Sequence, residues 1–254
     1  MQQLGRTHSH LKETVIIAGS PSRTYWRDLW AYRELFVFLA WRDLIVRYRQ
    51  TIIGVLWAFL RPLLMMAVLS FVFGRLGRLP SSSAPYPIFV LCGLLPWQFF
   101  SSTLADSGAN LLANPNLISK VYFPRTLLCV STAFVVFIDF VISFILLCLL
   151  FLYFGFTPSP RLLLLPVLLL PLVMISVGAG LFSSAMLVRF RDVRFLIPFC
   201  LQLLMYVSPV GFSSSIVPDR LKLLYGCNPL VAIIDTFRWC VIPDYPPPGS
   251  FGMF

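Results

Sequence analysis

Charge is scarce in this chain: Asp, Glu, Lys and Arg together make up 12% of its 254 residues. Soluble globular domains carry about a quarter of their residues as charges, so that class is excluded before any motif is sought. Histidine is nearly absent, and His8 and His10 sit in a polar N-terminal tail, where they read as solvated rather than liganding. The six cysteines, Cys92, Cys129, Cys148, Cys200, Cys227 and Cys240, contain no C-x-x-C pair, and four lie in apolar runs where a thiol behaves as a small hydrophobe. That spacing indicates neither a metal site nor a disulfide framework. Also missing are G-x-x-x-x-G-K-[ST], H-E-x-x-H, G-x-S-x-G and any paired acidic motif that would hold Mg²⁺, which leaves the chain without recognisable catalytic equipment. The first residues lack the unbroken apolar run of a secretory signal, because Arg6, Lys12 and Glu13 stand among polar neighbours. The N-terminus is therefore expected to stay in the cytoplasm.

Apolar residues, in contrast, make up 58% of the chain, with a mean hydropathy of +0.84, the signature of an integral membrane protein. A hydrocarbon core of about 30 Å takes roughly 20 apolar residues of helix to cross. Five stretches qualify: Ile52 to Phe73, Tyr86 to Ala105, Thr126 to Phe156, Leu162 to Val188 and, near the minimum length, Phe195 to Phe212. A sixth, Pro229 to Ile242, is too short and carries Asp235 and Arg238, so it reads as re-entrant or interfacial. Between them lie the breakers of Leu79 to Pro87, Pro115, Thr157 to Pro160 and Ser213 to Asp219. The 20 basic residues against 10 acidic ones give a net charge of +10, an excess that belongs to cytoplasmic loops and anionic headgroups rather than to nucleic acid. Placing the N-terminus inside puts Arg6, Lys12, Arg23, Arg27, Arg33, Arg42, Arg47, Arg49, Lys120, Arg125, Arg189, Arg191 and Arg194 on the cytoplasmic side. It leaves Arg75, Arg78, Arg161, Arg220, Lys222 and Arg238 outside. The bias supports that orientation.

Ahead of the first span, Thr24 to Gln50 mixes Trp26, Trp30, Tyr32, Trp41 and Tyr48 with charges. Arg27, Glu34, Arg42 and Arg49 recur at helical intervals on one face, while Arg33, Asp43 and Arg47 fall on the other side. The pattern predicts an amphipathic helix in the headgroup region, with its aromatics as anchors and its basic residues toward the cytoplasm. Within the spans, Asp139 is the one deep acidic residue; a functional role and a polar helix-packing contact both fit it. Two short loops, Asn114-Pro-Asn-Leu-Ile-Ser-Lys-Val-Tyr-Phe-Pro-Arg125 and Arg189-Phe-Arg-Asp-Val-Arg194, combine basic residues with apolar ones. Leu117, Ile118, Val121, Tyr122, Phe123 and Phe190 are suited to docking another protein, and equally to lying on the membrane surface.

The run Arg47-Tyr-Arg-Gln-Thr-Ile-Ile-Gly-Val-Leu-Trp57 followed by Pro62, then Gly93-Leu-Leu-Pro-Trp97 with Phe99 and Phe100, then Asn114 with Leu117-Ile-Ser-Lys-Val-Tyr-Phe-Pro-Arg125, resembles the membrane subunit of ATP-binding-cassette polysaccharide exporters. The likeness continues through Phe190-Arg-Asp-Val193, Gln202, Ser208-Pro-Val210, Asn228-Pro-Leu230 and Phe237-Arg238, and covers nearly all the chain from residue 25. It points to the O-antigen, capsule and teichoic-acid class. The resemblance implies a homodimeric permease of the bacterial inner membrane that pairs with two copies of a cassette ATPase and moves an undecaprenyl-diphosphate-linked glycan outward. It implies no cofactor in this chain, since ATP and Mg²⁺ would sit on the partner. By position it assigns coupling to the ATPase to Leu117, Ile118, Lys120, Tyr122, Phe123, Pro124 and Arg125, and to Arg189, Arg191 and Asp192. The expected architecture is all-α. Residues 1–23 form a cytoplasmic tail, 24–50 an interface helix, and 51–254 a transmembrane permease domain with five full spans and short re-entrant helices near the outer face. Members of the class carry a sixth span and a basic tail after Asn-Pro-Leu. Because this sequence ends at Phe254, just after Pro246-Pro-Pro-Gly, it reads as truncated.

Sugars stack their C–H faces on aromatic rings, and a conduit of such rings gives weak, repeated contacts that trap no part of a polymer. Candidates for that path are Trp57, Phe59, Trp97, Phe99, Phe100, Tyr206 and Phe212, although aromatics are 15% of the chain and many serve packing or the interfacial belts. The lipid diphosphate requires cations, for which Arg47 and Arg49, with Arg61 inside the first span, are the donors, while snorkelling to the interface is the other reading of Arg61. Two other readings remain. A membrane enzyme acting on lipid-linked sugars would need paired carboxylates, whereas Asp106 and Asp192 stand alone on separate loops. A drug or lipid permease of the same superfamily would share the fold.

Overall fold

The apolar runs fold as long helices because a backbone in hydrocarbon must satisfy its own hydrogen bonds, and a helix does so within one segment. The computed structural model describes residues 30, 32–49, 56–78, 83–114, 123–190 and 192–247. Four helices are long and apolar enough to cross a membrane: Leu56–Leu76, Tyr86–Ala113, Thr126–Phe154 and Pro160–Arg189. We label the α-helices in chain order. α1 is Arg33–Arg49, and α2 is Leu56–Leu69, which widens into a π-helical stretch at Ser70–Leu76. α3 is Tyr86–Ala113, α4 is Thr126–Phe154, and α5 is Leu165–Arg189, entered through a 3₁₀ turn at Pro160–Leu164. α6 is Val193–Val207, α7 Asp219–Gly226 and α8 Pro229–Val241. No strand occurs among the described residues.

Local sequence sets the ends. Gly155 closes α4 in the left-handed conformation at φ 60°, a geometry glycine adopts without a Cβ penalty. Asn228 accepts a hydrogen bond from the Leu230 N–H, with Pro229 in the first helical position, so Asn-Pro-Leu is the cap of α8.

α3 is the hub, packing on α2, α4, α5, α6 and α8. Of its most apolar 18-residue stretch 72% is buried, against 17% for both Leu56–Leu76 and Pro160–Arg189, so the first and fourth spans turn most of their apolar surface outward. Small residues bring α3, α4 and α5 together. A Cβ on Gly180 would stand 2.8 Å from the Ser107 hydroxyl oxygen and 2.9 Å from the Cys129 sulfur, the close approach that packs helices in lipid.

Two expectations are corrected. The span expected at Phe195 to Phe212 forms a helix of only 15 residues, α6, short of the roughly 20 a crossing takes. It stops because Pro209 has no N–H to donate and the following carbonyls bond elsewhere. At the other end of the molecule from α1, the buried Arg238 donates to the Phe212 carbonyl at 2.9 Å and the Val210 carbonyl at 2.8 Å, with its guanidinium 3.8 Å over the Phe89 ring. Gly93 permits this, since a Cβ there would meet the Val210 oxygen at 2.7 Å. Second, the helix expected to end at Ala105 continues to Ala113, so Asp106 sits in a helix rather than on a loop.

The helix expected ahead of the first span is present from Arg33 to Arg49 as α1, and its inner face packs on the bundle. Leu39 packs with Phe123, Leu127 and Leu128, Phe36 meets Phe134 edge to face, and Arg47 and Tyr48 reach Asp139. The helix thus runs along α4 over some three turns, leaving Val37, Phe38, Trp41 and Val46 exposed on its far side. The part of the predicted interface helix before residue 30 lies outside the described residues.

Candidate functional site

Asp43 and Arg47 are one helical turn apart on α1, which points both at the groove between α3 and α4. Asp43 accepts from Arg42 on one oxygen, at 2.7 and 3.0 Å, and from the Asn110 amide on the other, at 2.8 Å. Asn110 also donates to the Thr132 hydroxyl at 3.0 Å, and Arg42 donates to the Asn114 side-chain amide oxygen (Oδ1) at 3.0 Å. Asn114 in turn donates back to the Asn110 side chain at 2.7 Å. One turn further along α1, Arg47 is shared between Asp139 at 3.1 Å and Asp106 at 3.3 Å, and the Tyr48 hydroxyl donates to Asp139. Burial raises the Tyr48 phenol above its ordinary range; the hydrogen bond to Asp139 and that carboxylate's charge push the same way, and Arg47 opposes them.

Beside this cluster lies a cavity of about 140 Å³ among α1, α2, α3 and α4. Arg47, Tyr48, Arg61 and Asp139 supply its charged and phenolic groups, Gln98 and Ser102 its amide and hydroxyl, and Trp57, Phe99 and Phe140 its rings. Gln98 is the thirteenth of 28 residues in α3 and Asp139 the fourteenth of 29 in α4, so the polar cavity stands near the middle of both spans. Ionisable groups at that depth are costly unless paired or hydrated. Pairing explains Arg47 and Asp139. Arg61, Gln98 and Ser102 make no side-chain hydrogen bond or ion pair within the chain among the described residues.

The expected site residues divide three ways. Trp57, Arg61 and Phe99 come together with Arg47 at the cavity, and Phe59 is half-buried nearby on α2. Phe99 is only 2% exposed in the cavity wall, and Trp97 and Phe100, expected on a substrate path with it, are 4% and 6% exposed and pack in the core, which corrects the assignment of all three: a ring without access cannot line a conduit. Phe123 is corrected likewise, because at 5% exposure it seats under Leu39 of α1 instead of projecting as a docking knob. Pro124 is buried beside it. Arg47 was expected to be available to an anion, but it is already engaged by two carboxylates. Arg49, Arg125, Arg189, Asp192 and Tyr206 are exposed, with Arg189 5.3 Å from the Phe190 ring, and Phe212 is half-buried. Leu117, Ile118, Lys120, Tyr122 and Arg191 lie outside the described residues. Sequence reasoning missed Asp43, Asn110 and Thr132. The turn-spaced pairs Asp43/Arg47 and Asn110/Asn114 were the available signal.

The family described as ABC-2 type transporter matches residues 34–242. The O-antigen export system permease protein RfbA of Myxococcus xanthus is 30% identical over 214 residues, covering 84% of this chain and 82% of that protein. RfbA of Klebsiella pneumoniae is 27% identical over 206 residues, 81% of this chain and 79% of its own. The polysialic acid transport protein KpsM of Escherichia coli is 27% identical over 208 residues, 80% of each.

Proposed function

The chain belongs to the ABC-2 type transporter family, and from that premise we propose that it is the membrane-spanning permease of an exporter that carries lipid-linked polysaccharide, O-antigen above all, across the bacterial inner membrane. The observation that carries the reading is the match, over about four fifths of both partners, to permeases and transport proteins named for O-antigen and polysialic acid. Two copies of the chain pair with two cassette ATPase subunits, which bind ATP and Mg²⁺ and drive the cycle. The glycan arrives on undecaprenyl diphosphate. The N-terminus and the α1 end of the bundle face the cytoplasm, in keeping with the basic bias of that side.

In this reading the exposed Arg125, Arg189 and Asp192 meet the ATPase, with Leu117, Ile118, Lys120, Tyr122 and Arg191 from the same two loops. Arg49, exposed at the end of α1, is a cation available to the diphosphate, whereas Arg47 is held by Asp106 and Asp139. Trp57, Phe59 and Tyr206 are the rings with access to a passing sugar.

The test is copurification with candidate cassette ATPases and ATPase assay in nanodiscs, with and without lipid-linked glycan. A stable complex whose turnover rises with glycan is the expected result. An ATPase partner that responds instead to a drug or simple lipid would replace the substrate class, and the lack of any ATPase partner would remove the reading.

A further inference from the structure

We infer that the cavity among α1, α2, α3 and α4 binds one neutral sugar ring of the exported glycan. The inference rests on the exporter reading for its ligand class and goes beyond it in placing a subsite inside a single protomer.

Three observations lead there. The first is charge. Arg47, Arg61 and Asp139 line the cavity and Asp106, outside the lining, pairs with Arg47, so that two guanidiniums stand near two carboxylates and Arg47 is already divided between both acids at 3.3 and 3.1 Å. A diphosphate would have to pull Arg47 from its partners and would meet the Asp139 carboxylate on the cavity wall. A neutral polyol meets no such opposition, and each hydroxyl can both donate and accept.

The second observation is unused hydrogen-bonding capacity. The half-buried Gln98 amide and Ser102 hydroxyl and the exposed Arg61 fork line the space and make no side-chain hydrogen bond or ion pair within the chain among the described residues. Gln98 and Ser102 stand near the middle of α3, where polar groups are costly in hydrocarbon, and a ligand hydroxyl that bonds to them offsets that cost. Amide, guanidinium and carboxylate groups arrayed around a small space suit the alternating donors and acceptors of a pyranose.

The third is shape. Trp57 lines the cavity and supplies a flat face for the C–H side of a ring. At about 140 Å³ the cavity is well below the roughly 300 Å³ at which larger organic ligands begin to be enclosed, so it admits a single ring and not a chain. Trp57 is 50% exposed, which leaves that ring open to arrival from outside the protomer.

The experiment is saturation-transfer NMR on the full chain in nanodiscs, using a panel of methyl glycopyranosides (glucose, galactose, mannose, rhamnose and N-acetylglucosamine) with inorganic diphosphate as competitor. At least one glycoside should show saturable transfer that diphosphate at equal concentration leaves in place. Gln98→Leu and Trp57→Ala should each weaken it about tenfold, the scale of one lost polar or stacking contact, while Trp57→Phe, which keeps a flat face and reports on folding, should retain it. Transfer to none of the rings, displacement by diphosphate, or unchanged binding in both Gln98→Leu and Trp57→Ala would each overturn the inference. Displacement by lipid-linked glycan but not by a glycosyl-diacylglycerol places the ring in the export substrate, and the reverse order overturns that source. The two readings fail separately: glycan-stimulated ATPase without glycoside binding removes only this subsite, whereas glycoside binding with no ATPase partner removes only the exporter.

Discussion

Asp139 stands halfway along a spanning helix, and its two partners, Arg47 and Tyr48, come from a helix that precedes all the spans. Replacing it with Asn removes the charge while keeping the shape. Arg47 then retains only Asp106, and the docking of α1 on α4 should weaken by about 1–3 kcal/mol, the cost of leaving a part-buried charged group short of a partner. The Tyr48 phenol supplies a direct readout. Asp139 raises its pKa by hydrogen bond and by charge, so Asp139→Asn should move the Tyr48 titration down toward its ordinary value while burial keeps it somewhat elevated. Spectroscopic titration of the variant against the parent checks this, and an unmoved midpoint would mean that the two groups do not interact. The sequence marked Asp139 as anomalous from its burial cost alone. It did not disclose the partner, because Arg47 lies 92 positions away and its place on α1 looked like an interruption of the charged face.

Among the elements, the contact of α3 with α4 and α5 rests on atoms that are absent. A Cβ on Gly180 would intrude on Ser107 and Cys129, whereas one on Gly178, half a turn away, would meet nothing within 4 Å. Gly180→Ala should therefore cost about 1–3 kcal/mol of stability by overpacking, and Gly178→Ala should be neutral or mildly stabilising, since it only removes backbone freedom from a helix. Thermal unfolding of both variants in detergent compares them, and equal melting temperatures would sink the account of this seam. The long helices themselves were legible from apolar length, and four of the five expected spans stand as helices able to cross. The shortening of α6 was not legible. It depends on Arg238 taking the carbonyls after Pro209, a contact between residues 26 and 28 positions apart.

At the scale of the molecule, polar bonding is concentrated inside the protomer and apolar surface is turned outward. α2, α5 and α6 present Leu64, Val68, Met174, Phe182, Phe195 and Phe199 with half or more of their surface exposed, area that lipid or a second copy of the chain would cover. The loop from α5 to α6 carries the exposed Arg189 and Asp192, and in the exporter reading it receives force from the ATPase. Replacing Arg189 and Asp192 together with Ala should abolish glycan stimulation of ATPase turnover and leave insertion and thermal stability unchanged, because neither side chain is buried. Turnover in nanodiscs beside a melting curve separates uncoupling from misfolding, and normal stimulation would exclude that loop from coupling. Phe123→Ala should behave differently, lowering stability, because its ring fills the space beneath α1.

The sequence alone determined that the chain crosses a membrane, where its long helices run, and which family its motifs resemble. These follow from local quantities: apolar length against bilayer thickness, breakers between runs, and residue order within motifs. Tertiary structure alone decided which aromatics are core and which are accessible, which carboxylates hold Arg47, and that a polar cavity lies among α1, α2, α3 and α4. Those outcomes depend on side chains brought together from distant segments, and neither composition nor periodicity records which face of one helix meets which face of another.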